Sequence, residues 1–404
     1  MNTISWDTEM SLFDFATLHP ESIALLQLWG LEGIVDEHML TTLGRSISLK
    51  DALKTKSIKE EDFLLALQER LKKQKVWKEK KGPEIRVSGV LPCPVRIPLQ
   101  EMLEAFLEAR PEPKQEVLLD LKAASMGVDW LIDDVKKRSP EALPDLFLSA
   151  GFDLFFDDTL FGHHRRNGVF EDMTPWTHYN ADFEREDMTL RDPQGQYGMI
   201  AVVPAIFLIN MEELQGRAIP GSWEDLLQEE YQGSVSLPIG DFDLFNAILL
   251  NLYKRYGDEG IKKLSLSLLS SMHPAQMVKS HTKEQDKPLV TIMPYFFTKM
   301  LVPNSPMQAV WPSDGAIVSP IFMLAKREKK EQLQPLVDFF CSMAVAELLS
   351  VKGKFPSVHP AIDNRFTNDQ QLMWLGWDFM EENDIGETIR HCERLFGGQE
   401  RKIL

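Results

Sequence analysis

The length, composition and charge of the chain exclude several classes of protein. Its 404 residues exceed what one hydrophobic core usually serves, and 44% apolar residues are ample for two or three folded units. A formal charge of −17 disfavours nucleic acid as a partner, because affinity for phosphate comes from clustered cations. Cys93, Cys341 and Cys392 are too few and too far apart for a disulfide framework, which fits a reducing compartment.

The beginning of the chain shows no export signal. Asp7, Glu9 and Asp14 lie where a signal peptide would carry cations, and no cleavage site follows an apolar run. The longest apolar stretch, GMIAVVPAIFLINM, contains Pro204 and is shorter than the roughly 18 residues that a membrane span needs. We therefore expect a cytoplasmic protein as given, or a periplasmic or extracellular one if export information is missing from this sequence.

Residues 1–81 are predicted to form a separate helical module. Pro20 suits the first turn of one helix and Gly30 suits its end, while Ser57 begins a capping box for a longer helix. The stretch 70–81 contains seven cations and one acid. Two interpretations of this stretch stay open: a solvated helix end and linker, or a docking face for the acidic remainder of the chain or for an anionic partner.

After Gly82-Pro83 strand-like runs alternate with helical ones, which is typical of a parallel α/β sheet. The predicted strands are EIRVSGVL, EVLLDLKA, LPDLFLSA, GMIAVVPAIFLINM, SVSLPI, PLVTIMPYFF, MQAVWP and SPIFMLA. The predicted helices are 98–109, VDWLIDDVKKR, SWEDLLQEEY, FDLFNAILLNLYKRYG, IKKLSLSLLSSM, LQPLVDFFCSMAVAELLS and DQQLMWLGWDFMEEN. No nucleophile elbow, phosphate-binding loop, zinc-protease or dinucleotide motif is present, so we expect no cofactor.

The order of these elements resembles that of type II solute-binding proteins of the ABC-transporter class, in their iron-binding and polyamine-binding branch. The resemblance covers roughly residues 86–362. Its segments are VSGVLPCPVRIP, IAVVPAIFLIN, IPGSWEDLLQEEYQGSVSLP, NAILLNLYKRYGDEGIKKL, VTIMPYFF and WPSDGAIVSPIFMLAKREKKEQLQPLVDFFCS.

The resemblance implies an α/β fold of two lobes, like that of periplasmic binding proteins, preceded by a small all-α domain. Residues 83–195 and 313–404 would form lobe I, and residues 196–312 would form lobe II. The implied function is the non-catalytic binding of a small solute between the lobes by hinge closure, as a carrier or a sensor. The alternative is a metal- or thiol-dependent enzyme in the same cleft.

The helical module has its own, weaker resemblance. The phrase TLHPESIALLQLWGLEGIV is similar to a small helical domain found beside redox and metal-cluster proteins. Relatives of that domain commonly carry a cysteine pair where this chain has Gly33-Ile34-Val35. The module is therefore expected to bind a cytoplasmic protein partner or to regulate, while the lobes would meet an ABC-transporter membrane component.

Candidate ligand-binding residues of lobe I lie in the loop LPCPVRIP and in the segment DDTLFGHHRRNG. Cys93 lies between two prolines, and it is either a packed small hydrophobe or a cleft thiol. Arg96 would suit an anionic ligand because its planar fork matches a carboxylate. His163 belongs to the densest polar cluster, which is a cleft group or a solvated loop. Adjacent histidines on a helix diverge by about 100°, so no metal is expected there.

Candidates of lobe II follow its strands. Asp241 and Phe242 open a helix in IGDFDLFN, where an acid either caps the helix or faces a cationic ligand group. Iron-binding relatives present consecutive tyrosines after VTIMP, where this chain has Tyr295 and Phe296, so the resemblance implies an aromatic wall for an organic ligand. Trp311 and Asp314 in WPSDGA complete the set of hinge or cleft candidates.

Overall fold

The computed structural model describes residues 6–19, 21–26, 31, 39–40, 43–56, 58–68, 84–109, 116–123, 128, 131–152, 154–185, 188–240, 242–272 and 274–397. The chain forms two units, Met1–Glu84 with Lys114–Leu118 and Ile85–Pro113 with Leu119–Leu404. Among the described residues no single helix is long and apolar enough to cross a membrane, although two helical segments joined by a 43° bend, Arg327–Phe340 and Met343–Lys352, reach the length and hydropathy together.

The first unit is helical. Its helices are α1 (Leu12–Leu18), α2 (Glu21–Leu26), α3 (Leu49–Lys54) and a helical stretch over 60–68, with a 3-10 turn at Leu43–Arg45. Ser11 and Ser48 cap α1 and α3, because each hydroxyl accepts the backbone N–H three residues on. The buried core consists of Leu12, Phe15, Ala16, Leu25, Leu26, Leu31, Leu40, Leu49, Ala52, Leu53, Phe63 and Leu67.

Several predictions for this module fall outside the described residues. These are the helix end at Gly30, the segment Gly33-Ile34-Val35, the cap at Ser57 and the basic stretch 70–81.

In the rest of the chain the described residues form thirteen strands. They are β1 (Glu84–Leu91), β2 (Glu116–Ala123), β3 (Leu146–Ala150), β4 (Phe170–Glu171), β5 (Glu184–Arg185), β6 (Met188–Thr189), β7 (Tyr197–Asn210), β8 (Val235–Leu237), β9 (Leu268–Ser271), β10 (Val290–Pro294), β11 (Met307–Val310), β12 (Ala316–Lys326) and β13 (Leu372–Met373).

The α-helices of this part pack around the strands. They are α4 (Cys93–Glu108), α5 (Ile132–Lys136), α6 (Gly162–Arg166), α7 (Phe242–Ser267), α8 (Pro274–Met277), α9 (Lys330–Phe340), α10 (Met343–Glu347), α11 (Trp377–Glu382) and α12 (Ile385–Gly397). A π-helical turn at Leu348–Lys352 follows α10, and a 3-10 turn at Tyr295–Met300 follows β10.

The main sheet has two halves with the same strand layout. The first half runs β2-β1-β3-β12-β7, and the second runs β9-β8-β10-β7-β11. Each half contains a parallel pair of strands, β1 with β3 in the first half and β8 with β10 in the second. A long strand pairs antiparallel with one strand of each pair: β12 with β3, and β7 with β10. The long strand β7 belongs to both halves.

Strand β7 passes from one half to the other near its middle. Its residues up to Pro204 pair with β12, and its residues from Ala205 onward pair with β10 and β11. All fourteen residues of β7 are buried. An almost unbroken apolar run is what a strand covered on both faces requires, which is why this strand was recognisable from the sequence.

Several predicted elements differ from the observed ones. Helix α4 begins at Cys93 and not near Pro98, because Pro94 falls in the first helical turn, where the missing N–H has no intrahelical partner. The segment SWEDLLQEEY forms two 3-10 turns, Asp225–Leu227 and Glu229–Tyr231, and not one α-helix. The predicted helix IKKLSLSLLSSM ends at Ser267 and continues as β9. The segment DQQLMWLGWDFMEEN contains β13 before its helix.

Candidate functional site

The carboxyl end of β10 and a later segment of the chain meet where β7 changes halves. Pro294, the last residue of β10, pairs with Ala205 of β7. Nearby, the N–H of Val202 donates to the carbonyl oxygen of Pro356 at 2.9 Å. The 3-10 turn that begins at Tyr295 therefore lies next to the segment 353–358. In open α/β sheets ligands bind outside the carboxyl ends of strands, so this joint is the place to look for a site.

Aromatic side chains from three parts of the chain gather at this joint. Tyr295 and Trp311 are in edge contact with ring centroids 5.3 Å apart, and Trp311 is in edge contact with Phe366 at 5.6 Å. The ring of Phe296 lies parallel to that of Phe355 with centroids 6.0 Å apart. All but Phe355 are half-buried, so their rings stay partly accessible. We call the five residues Tyr295, Phe296, Trp311, Phe355 and Phe366 the joint patch.

Lys354 adds a cation to the joint patch. Its Nζ lies 4.3 Å from the centroid of the Tyr295 ring and donates to Thr298 Oγ1 at 2.7 Å. The Thr298 hydroxyl in turn donates to the Tyr295 carbonyl oxygen at 2.8 Å, which fixes its orientation. Burial lowers the pKa of Lys354 below its ordinary value. This side chain connects the 353–358 segment to the turn after β10.

A second lysine lies beside the first. Lys299 is exposed and its Nζ donates to the carbonyl oxygen of Lys352. Burial, and after it the charge of Lys354, lower the pKa of Lys299. The joint is therefore locally positive in a chain whose formal charge is −17.

The candidates Cys93 and Arg96 do not lie in an open loop. Cys93 is the first residue of α4, and its side chain is outside the described residues. Arg96 is 7% exposed, and its Nη1 donates to the carbonyl oxygen of Leu121 at 3.5 Å. The early start of α4 places this guanidinium against β2. That Arg96 binds an anionic ligand stays a prediction; the cation beside the Tyr295 ring is Lys354.

His163 belongs to a cluster with a structural role. It lies on the short helix α6, and its ring nitrogens face the side-chain amide of Asn167. In the same cluster Asp157 accepts the N–H groups of Thr159 and Leu160 and pairs with Arg390 Nη1 at 2.7 Å. These hydrogen bonds outweigh the effect of burial and lower the pKa of Asp157. The cluster ties α12 to the loop before α6, away from the joint patch.

Three of the remaining candidates are Asp241, Phe242 and Asp314. Asp241 lies outside the described residues, and the same holds for the side chain of Phe242 at the start of α7. Asp314 accepts the backbone N–H of Trp223 at 3.1 Å and faces Arg255 Nη1 at 3.4 Å. Burial raises its pKa. Asp314 thus fastens the segment after Pro220 to the link between β11 and β12.

The described part of the chain contains no group of three His, Cys, Asp or Glu side chains placed to hold a metal ion. The site residues that sequence reasoning missed are Phe355, Phe366, Thr298 and Lys354. Thr298 and Lys354 sit in ordinary polar contexts, and the only local signal near them is Gly353. A Cβ there would lie 2.7 Å from Val95 Cγ1 and from the carbonyl oxygen of Leu349, so the chain needs glycine at this close approach.

Two α/β halves that share the long strand β7, with an aromatic and cationic patch at their joint, define a two-lobe binding protein. Residues 141–383 match the family model described as bacterial extracellular solute-binding protein, and the chain belongs to this family. No curated protein matches the chain in sequence.

Solved structures agree with this assignment at the level of the fold. Apo ferric ion-binding protein A of Pasteurella haemolytica matches with a TM-score of 0.56 and 15% identity, over 78% of this chain and 96% of that one. Iron-bound HitA of Pseudomonas aeruginosa matches with a TM-score of 0.56 and 11% identity, over 78% and 99%. The substrate-binding protein of an ABC transporter from Agrobacterium tumefaciens matches with a TM-score of 0.54 and 14% identity, over 78% and 94%.

The family confirms the two-lobe fold and the solute-binding function that the resemblance implied. Neither the family nor the solved structures support the alternative of an enzyme in the cleft. The family is one of extracellular proteins, so the cytoplasmic expectation is not supported, whereas the periplasmic or extracellular alternative agrees with it.

Proposed function

We propose that the joint patch is where this solute-binding protein holds its ligand, and that the ligand is a small organic molecule with an apolar or ring-shaped part. The observation that carries the proposal is the placement of Tyr295. Its ring meets the edge of Trp311 on one side and the ammonium group of Lys354 at 4.3 Å from its centroid. Half-buried aromatic walls with one convergent polar group are the usual make-up of sites for organic ligands.

The rival ligand is a ferric ion, which the titles of two similar structures name for those proteins. The side chains at the joint favour an organic ligand over it. Tyr295 is the one phenol of the joint patch, and the next position is Phe296, which has no oxygen to donate and lies parallel to Phe355. An ammonium group over the Tyr295 ring also opposes a second cation at this position.

In this proposal the lobes are residues 83–195 with 313–404 and residues 196–312, and they close on the solute by a hinge at β7 and at the link between β11 and β12. Closure needs only differential contacts with the ligand in the closed form, so no catalytic group is required. The protein would deliver its solute to the membrane component of an ABC transporter, from outside the cytoplasm. The helical module 1–81 would bind a protein partner of its own.

Binding to purified variants tests the site. Native mass spectrometry and tryptophan fluorescence of the wild type should reveal an organic solute that is retained or taken up. Tyr295→Ala and Trp311→Ala should each weaken binding about tenfold or more, because each removes a ring that contacts the ligand. Tyr295→Phe keeps the ring and should bind the solute nearly as well. Tyr253→Ala on α7, where the ring contacts His391, serves as the matched aromatic control.

The same variants separate the organic ligand from iron. A ferric titration of the wild type should give no phenolate-to-iron absorption band. An absorption band that appears with stoichiometric ferric ion and disappears in Tyr295→Phe would show that the ligand is iron and would overturn the proposal of an organic ligand. If neither Tyr295→Ala nor Trp311→Ala changes solute binding, the joint patch is not the site.

A further inference from the structure

The two lysines at the joint have no acidic partner. Among the described residues no carboxylate oxygen lies within 4.0 Å of the Nζ of Lys354 or of Lys299. The hydroxyl of Thr298 and the ring of Tyr295 are neutral, so the contacts that Lys354 does make leave its charge uncompensated. Half-buried charges are normally paired, because removing a charge from water is costly.

The backbone at Lys354 is also unusual. Its φ is 51°, a left-handed conformation that L-residues other than glycine, asparagine and aspartate seldom adopt. The neighbouring Gly353 cannot carry a side chain, because a Cβ would collide with Val95, Leu349 and Phe355. Lys354 follows the end of the turn Leu348–Lys352, and its N–H donates to the carbonyl oxygen of Ser350 at 3.1 Å. The left-handed conformation closes this turn, and the Lys354 ammonium group lies over the Tyr295 ring.

Lys299 strengthens the positive field at this point. The charge of Lys354 contributes to the lowered pKa of Lys299, so the two ammonium groups repel one another. This repulsion opposes closure of the joint unless an anion lies near both groups. The buried Lys326, by contrast, is paired with Asp145 at 3.0 Å. An anion supplied by the ligand would complete the joint in the same way.

We propose that the solute carries a carboxylate beside its ring, and that Lys354 is the residue that selects for it. This inference rests on the proposed function of the joint patch. The ring of the solute contacts Tyr295 and Trp311, its carboxylate accepts from Lys354 and lies near Lys299, and Thr298 holds the ammonium group in position. One negative charge balances the one ammonium group that lies over the Tyr295 ring, and a carboxylate supplies that single charge.

Three matched pairs of probes test the inference by isothermal titration at pH 7: benzoate with benzamide, nicotinate with nicotinamide, and indole-3-acetate with indole-3-acetamide. Each amide has the shape of its carboxylate but no charge. At least one carboxylate should bind the wild type about tenfold tighter than its amide, as one charge-assisted hydrogen bond allows. Lys354→Met should remove that preference while leaving the affinity for the amide within about twofold.

Two further lysine variants complete the set. Lys299→Met changes an exposed residue and should reduce the preference by a smaller factor. Lys263→Met removes an exposed lysine of α7 and should change nothing. Thermal unfolding of each variant shows whether it is folded. If Lys354→Met does not fold, the preference for the carboxylate over the amide is still tested by Lys299→Met.

The outcomes distinguish the inference from the proposed function. The proposal that the solute carries a carboxylate would be overturned by either of two results. One is equal affinity of the wild type for every carboxylate and its amide, and the other is no binding of any carboxylate at millimolar concentration. If the amides bind as tightly as the carboxylates and Tyr295→Ala abolishes binding, the joint patch is the ligand site but the solute carries no carboxylate. If Tyr295→Ala leaves all affinities unchanged, the joint patch itself is wrong.

Discussion

The ammonium group of Lys354 lies 4.3 Å from the centroid of the Tyr295 ring, although the two residues belong to different halves of the sheet. Tyr295 follows β10 of the second half, and Lys354 precedes the segment that bonds to the first half of β7. The contact therefore forms only when both halves are near one another at the joint. The binding of a ligand by both side chains would therefore depend on closure of the two halves.

The preference for a carboxylate should fall as the pH rises. Burial lowers the pKa of Lys354, so its ammonium group loses the proton at a lower pH than an ordinary lysine, whose pKa is about 10.4. The ratio of carboxylate to amide affinity should be constant near neutrality and should decrease above it, as measured by titration from pH 7 to pH 10. In Lys354→Met this ammonium group is absent, so the decrease should be much smaller. A ratio that rises with pH would contradict this assignment.

Asp314 should matter for stability and not for ligand binding. Its carboxylate accepts the N–H of Trp223 and faces Arg255, so Asp314→Ala leaves a buried donor without its acceptor. We expect a loss of about 1–3 kcal/mol in the free energy of unfolding, measured with urea. Asp314→Asn keeps an acceptor of the same shape and should cost less. If a folded Asp314→Asn protein instead lost affinity for the solute, Asp314 would be a ligand-binding residue.

Cys93 should react fastest of the three cysteines. Cys341 and Cys392 are buried, and burial raises the pKa of both thiols, that of Cys392 to about 12. Cys93 is the first residue of α4, where the positive end of a helix favours thiolate. Alkylation followed by peptide mass spectrometry should modify Cys93 before the other two. Equal rates at Cys93 and Cys341 would mean that Cys93 is a packed core residue.

The helical module should separate from the rest of the chain. It has a buried core of its own around Phe15, Leu49 and Phe63, and the predicted linker contains most of the cations of the stretch 70–81. Limited trypsin digestion should cut between Lys72 and Lys81 and leave a body that binds the same probes. If the body unfolds or stops binding after the cut, the boundary is wrong.

The sequence alone determined the elements whose pattern is local. The buried apolar run of β7 and the alternation of strands with helices predicted an α/β fold, because burial on both faces leaves a continuous apolar signature. The division into two lobes was implied by the resemblance to type II solute-binding proteins. The same reasoning placed Tyr295, Phe296 and Trp311 at the ends of predicted strands, and in the structure they follow β10 and β11. The physical reason is that strand ends and the residues following them are set by short stretches of chain.

The tertiary structure decided what those residues touch. Lys354 reaches Tyr295 because the hydrogen bond from Val202 to Pro356 brings a distant segment alongside β10, and no local pattern contains that pairing. Arg96, the cation that the sequence favoured, turns instead toward β2, because α4 begins before it. A side chain's neighbours across the sheet depend on strand order and register, which are settled by the packing of the whole chain.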